Sequence, residues 1–119
     1  MAISISTTFY PYRLVLSRKQ PVELKVELVN RHEKDVMVSL QVFLSKQLSL
    51  DKSGLKTDAL HRIDKFSPNE RKKFVFDVFP KNYVVTGEYP VRVKVLEHYK
   101  DYKFVEKEYT KNLFLSVDE

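Results

Sequence analysis

Apolar and polar residues take turns along most of this chain, and that two-residue rhythm constrains its fold more than anything else in the sequence. Val22, Leu24, Val26 and Leu28 fall on one side of an extended segment, with Glu23, Lys25 and Glu27 on the other. The pattern resumes after a polar interval, where Val36, Val38, Leu40, Val42 and Leu44 alternate with Met37, Ser39, Gln41 and Phe43. Successive strand side chains point to opposite faces, so this alternation belongs to half-buried β-strands. A helix would repeat every three or four residues, and no long segment does so. The polar run 30–35 lies between the two segments, which read together as a β-hairpin over 22–44.

The same rhythm marks further strands. Phe74, Phe76 and Val78 share a face before Pro80; Val91, Val93 and Val95 follow Gly87; Leu113, Leu115 and Val117 close the chain. A strand over 60–66 ends at the turn Ser67-Pro68-Asn69-Glu70, and two short strands over 3–8 and 13–16 are interrupted by Pro11. Segment 97–102 reads as a polar turn, and 46–59 is the least regular stretch, with a turn at Ser53-Gly54 and with Leu48, Leu50 and Leu55 suited to a short strand or one helical turn. About seven or eight short strands punctuated by turns indicate an all-β antiparallel sandwich. The expected core is Leu24, Val26, Val38, Leu40, Val42, Phe74, Phe76, Val91, Val93 and Leu115, with Phe114 also read as core.

A length of 119 residues suits one domain over 1–119. With 43% hydrophobic and 31% charged residues the chain is too apolar for a disordered tail, and no apolar run is long enough for a membrane-spanning helix. The absence of cysteine excludes disulfides and thiolate chemistry. The net charge is +5, but acids and bases are interleaved, as in Glu106-Lys107-Glu108. The densest basic cluster is Arg71-Lys72-Lys73. Abundant Lys and Glu resemble a thermophile's composition. Residues 1–6 carry no secretory signal, so a cytoplasmic location is expected unless the chain is a domain of a longer, extracellular protein.

Catalytic motifs are lacking. His32, His61 and His98 fall in separate segments without metal-ligand spacing and read as surface residues. Asp77, between Phe76 and Val78, reads as a solvent-facing guard against edge pairing. Two glycines far apart leave no phosphate-cradling loop, and no Gly-X-Ser-X-Gly occurs. Neither enzyme activity nor a cofactor or metal is expected.

Three segments in order carry a family resemblance: Pro21 to Asn30, a strand ending in Asn; Phe66-Ser67-Pro68-Asn69-Glu70 with the strand after it; and Thr86-Gly87-Glu88-Tyr89-Pro90-Val91. Together they resemble the immunoglobulin-like accessory modules of archaea and bacteria, such as CARDB-type and galactosidase-associated domains. Asn69 stands where those modules have a turn glycine. The resemblance implies an immunoglobulin-like or fibronectin-like sandwich in which Tyr89 bonds back to the preceding loop as a tyrosine corner. It also places Val91, and Leu24 or Val26, where such domains carry a disulfide.

The remaining tyrosines suggest a job. Tyr10, Tyr12, Tyr99 and Tyr102 sit at turns or strand ends beside Arg13, Lys100 and Lys103, and interface hot spots favour tyrosine together with arginine. Tyr10, Tyr12, Arg13, Tyr99, Lys100 and Tyr102 are therefore the candidate partner-binding residues, and another protein is the expected partner. Binding of nucleic acid or another polyanion is the alternative reading of the positive charge. Association with carbohydrate or a cell surface is the alternative that the resemblance implies.

Overall fold

The computed structural model of the chain describes residues 2–119. It contains nine strands: β1 (Ile3–Tyr10), β2 (Arg13–Val15), β3 (Val22–Asn30), β4 (Val36–Leu44), β5 (Leu48–Ser49), β6 (Asp58–Phe66), β7 (Arg71–Pro80), β8 (Gly87–Tyr99) and β9 (Asp101–Asp118). They form two sheets, of order β1-β3-β7-β5 and β2-β9-β8-β4-β6. The all-β sandwich read from the sequence is thus the observed fold. Nine strands are present because the interrupted first strand contributes one to each sheet and β5 is only two residues long. No helix among the described residues is long and apolar enough to cross a membrane.

The hairpin expected over 22–44 does not form. β3 pairs with β1 and β7, whereas β4 pairs with β6 and β8 in the other sheet. Alternation reports which face of a strand is buried, not which strand lies beside it. Here the apolar faces of β3 and β4 meet across the core instead of lying side by side. The crossing is secured by Asn30, which is fully buried. Its amide nitrogen donates to the carbonyls of Phe66 at 2.8 Å and Lys34 at 3.1 Å, and its side-chain oxygen accepts from the His32 amide at 2.9 Å. Its backbone carbonyl accepts from the Asn69 amide at 2.7 Å. Asn69 itself has φ 63°, a left-handed geometry that asparagine tolerates, so it can close this turn without a glycine.

Val22, Leu24, Val26 and Leu28 face Val38, Leu40 and Val42 of β4 and the inner residues of β8 and β9, and all are buried. Two aromatic assignments change. Phe114 is exposed, because Leu113, Leu115 and Val117 turn inward and leave it on the outer face. Phe74 is only half-buried: β6 and β7 do not bond to each other, and at that open flank His61 covers Phe74 and Phe76, with ring centroids 5.1 and 5.5 Å apart.

The least regular segment, 46–59, holds β5 and a loop built around one carboxylate. Asp51 Oδ1 accepts from the amides of Gly54, Leu55 and Lys56 at 3.1, 3.2 and 3.3 Å and from the Ser49 hydroxyl at 2.7 Å. The hydroxyls of Ser49 and then Ser53 do most to lower its pKa to about 2. Gly54, at φ +79°, supplies the left-handed residue that closes the loop.

Candidate functional site

The structure divides the predicted partner-binding residues between the two ends of a molecule 47 Å long and 24 by 18 Å in section. Tyr10, Tyr12 and Arg13 lie where the chain leaves β1 and enters β2, beside the start of β3 and the end of β9. Tyr99, Lys100 and Tyr102 form the tip of the β8–β9 hairpin at the opposite pole, next to the start of β4. They make two surfaces rather than one.

The hairpin pole is the more structured. Segment 97–102 is not a polar turn: β8 continues to Tyr99 and β9 begins at Asp101, with Lys100 (φ 69°) alone making the reversal. The pairing slips between Glu97 and Tyr99, so β9 has extra residues there. Such a bulge bends the strand and re-aims its side chains. Tyr102 is thereby brought over the outer face of the five-stranded sheet. It meets His98 edge-on at 5.0 Å, lies under the Arg62 guanidinium at 4.6 Å, and donates to Asp64. Burial, then the Asp64 carboxylate, pushes the Tyr102 phenol up to about 12. Tyr102 is therefore a fastening residue. Tyr99 is exposed, with the Lys100 ammonium 5.5 Å from its ring.

Beneath this tip lie groups that strand parity alone did not reveal. His98 and Ser39 are both buried, in neighbouring strands on the outer face. The Phe104 carbonyl can only accept, so His98 Nδ1 donates to it at 3.3 Å, leaving Nε2 to accept from the Ser39 hydroxyl at 2.7 Å. That is the arrangement of a nucleophile and its base, but the hydroxyl is enclosed and only 3% of Ser39 is exposed. On the inner face Glu97, also buried, accepts from Tyr109 at 2.6 Å through one oxygen and pairs with His32 through the other. Burial, followed by Glu97, pushes the Tyr109 phenol up to about 12. His98 and Glu97 are thus not surface groups, and His32 is half-buried. A buried carboxylate is tolerated where both oxygens find donors.

An open cavity of about 410 Å³ adjoins both sets, lined in part by His32, Asp35, Met37, His98, Tyr99 and Lys100. Among the described residues no group of three or more His, Asp or Glu is placed to hold a metal ion. The basic cluster is partly neutralised: Arg71 pairs with Glu27 at 2.7 Å and Lys72 with Glu70 at 3.1 Å. Asp77 is exposed on β7, as expected. Tyr89 donates its hydroxyl to the Val85 carbonyl at 2.6 Å, completing the tyrosine corner, with its ring half-buried against the core.

Two sheets, a first strand shared between them and this corner decide the comparison with known folds. The fold is immunoglobulin-like. The chain is similar to part of an Escherichia coli alpha-2-macroglobulin spanning domain MG7 to the C-terminus, at TM-score 0.67 and 13% identity over 98% of this chain but 17% of that one. It is similar to self-complemented MyfA, the major subunit of Myf fimbriae from Yersinia enterocolitica, at TM-score 0.55 and 16% identity over 98% and 99% of the two chains. The ApaA protein from Bordetella pertussis gives TM-score 0.53 and 11% identity over 97% and 91%. Identities this low show the shared fold alone. No protein-family model matches the chain, and no curated protein matches it.

Proposed function

We propose that this chain is a non-catalytic interaction module, of the CARDB or galactosidase-associated accessory type, that binds another protein through the hairpin pole. The observation that carries the reading is the fate of the chemically capable side chains. Ser39, His98, Glu97, His32 and Tyr109 are taken up in bonds that fasten the hairpin and the 30–35 crossing to the sandwich. Outward at this pole stand Phe104, Val105 and Tyr99 with Lys100, the last two at the rim of a cavity that can receive a partner's side chain. A tyrosine brings large contact area at low entropic cost. Kinship with the accessory modules is supported by the Asn-ended strand, the Ser67–Glu70 turn and the Gly87-X-Tyr89 corner.

The test is quantitative affinity capture from native lysate with the wild type, Tyr99→Ala/Lys100→Ala and Tyr10→Ala/Tyr12→Ala. A protein retained by the wild type and the Tyr10/Tyr12 variant, and lost with the Tyr99/Lys100 variant, is the expected result. Equal capture by all three would remove the hairpin pole as the site.

A further inference from the structure

The pole opposite the hairpin has a different character. Among the described residues, the five most exposed large apolar side chains are Leu55, Tyr12, Tyr83, Val85 and Tyr10, each at least 67% exposed. All five lie at this pole, although three separate connections supply them: the β1–β2 crossing, the Asp51 loop and the β7–β8 loop. β5 ties the last two loops together by pairing Leu48 with Pro80 and Ser49 with Phe79. The β1–β2 crossing lies beside them, where Arg13 aligns with Ser116 and Gly87 with Val117. The end on which they gather is a section of only 24 by 18 Å.

The cations here are also distinctive. Arg18 and Lys19 of the β2–β3 connection, Lys46 between β4 and β5, Lys52 and Lys56 of the Asp51 loop and Lys81 of the β7–β8 loop also lie at this end, and among the described residues none makes a salt bridge. The nearby acids are slightly fewer: Asp118 is paired with Arg13 at 3.0 Å, and Asp51 is turned into its own loop, leaving Glu23, Asp58, Asp77, Glu88 and Glu119. Exposed apolar tips and lysines that make no salt bridge thus share one small end.

We infer that this pole docks on an anionic lipid surface, with Leu55, Tyr83 and Val85 entering the headgroup boundary and the lysines meeting lipid phosphates. Three features favour lipid over the other occupants. Protein interfaces are depleted in lysine, which supplies five of the six unpaired cations. Nucleic acid would use the tyrosines for stacking but gives Leu55 and Val85 no role. Separate protruding tips with an aromatic and aliphatic mixture suit a soft interface, where tyrosine sits at headgroup level and basic residues add attraction to anionic leaflets. Docking at this pole is independent of the hairpin pole, which it leaves free for a protein.

The experiment is vesicle co-sedimentation of the 119-residue chain with phosphatidylcholine alone and with an equal mixture of phosphatidylcholine and phosphatidylglycerol. Binding to the mixed vesicles only, weakening as salt rises, is expected. Leu55→Ser/Val85→Ser and Lys46→Glu/Lys52→Glu should each reduce it roughly tenfold or more, with unchanged melting temperatures because all four side chains are exposed. Tyr99→Ser, at the far pole, should bind like the wild type. Absence of binding to either vesicle, binding indifferent to both double variants, or equal loss with Tyr99→Ser would overturn the assignment. So would salt-sensitive binding to an oligonucleotide that Leu55→Ser/Val85→Ser leaves intact.

Discussion

Glu97 holds a donor on each carboxylate oxygen, Tyr109 on one and His32 on the other, and this accounts for a carboxylate at the end of an apolar strand face. Strand parity groups residue 97 with Val91, Val93 and Val95, but its charge argued for solvent. The donors that make burial tolerable come from residues 65 and 12 positions away, invisible until the pairings are known. Tyr109→Phe should therefore destabilise by about 1–3 kcal/mol, the cost of an unpaired buried acceptor, measured by urea unfolding. The phenol adds a pH signature. Its pKa rises from 10.0 to about 12 on folding, so between those values the unfolded chain has released a proton that the folded chain keeps. That contribution is complete below pH 10 and is lost as pH climbs through 12. Tyr109→Phe should flatten this part of the stability profile relative to wild type, leaving the similar slope due to Tyr102. Tyr89 presents the contrary case of legibility, since Gly87-X-Tyr89 announces its role in the sequence. Gly87 is called for by its backbone, at φ +155°, rather than by space, since a Cβ there would make an ordinary 3.8 Å contact with the Tyr89 hydroxyl. Tyr89→Phe should cost about 1 kcal/mol, the net worth of one hydrogen bond, and a wild-type urea midpoint would contradict it.

Among elements, the connection 30–35 shows where the sequence is ambiguous. Six polar residues can close a hairpin or carry the chain across a core, and nothing local separates the two. The deciding groups are remote: Phe66, Asn69 and Glu70 offer Asn30 its partners from the turn after β6. Asn30→Ala keeps the backbone bonds but strands the Phe66 carbonyl and the His32 amide. A loss of about 2 kcal/mol or more in unfolding free energy is expected, and a loss below about 0.5 kcal/mol would show that the crossing does not depend on this side chain. The Asp51 loop was legible only as a turn at Ser53-Gly54, because its order comes from one carboxylate gathering amides, which leaves no periodic trace. Because folding lowers the Asp51 pKa from 3.8 to about 2, its support is present above pH 3.8 and is lost as pH falls through 2. Amide exchange at Gly54, Leu55 and Lys56 should accelerate in Asp51→Ala at neutral pH relative to the core strands. Unaltered protection would mean that the loop is held by β5 pairing instead.

At the scale of the whole molecule, the fold class was legible because burial of one face governs every strand, whereas the division of the candidate residues between two poles was not. Tyr10 and Tyr102 look equivalent in sequence, both beside prolines or cations, and only the register of β1 on β3 and of β8 on β9 sends them to opposite ends. A sandwich 47 Å long also separates the devices that fasten each end: the Asn30, His32, Glu97 and Tyr109 network at one, the Tyr89 corner at the other. Sites farther apart than about 10 Å with no shared partner add their effects within about 0.5 kcal/mol, while members of one network do not. Asn30→Ala combined with Tyr89→Phe should therefore cost the sum of the single changes. Asn30→Ala combined with Tyr109→Phe should deviate from additivity by more than about 0.5 kcal/mol, because His32 bridges the two: its amide is held by Asn30 and its ring by the carboxylate that Tyr109 also holds. The two cycles, measured by urea unfolding under one set of conditions, discriminate between independent ends and a single continuous scaffold. Coupling in the first cycle as large as in the second would show that strain passes the length of the core, and that the two poles cannot act as separate binding surfaces.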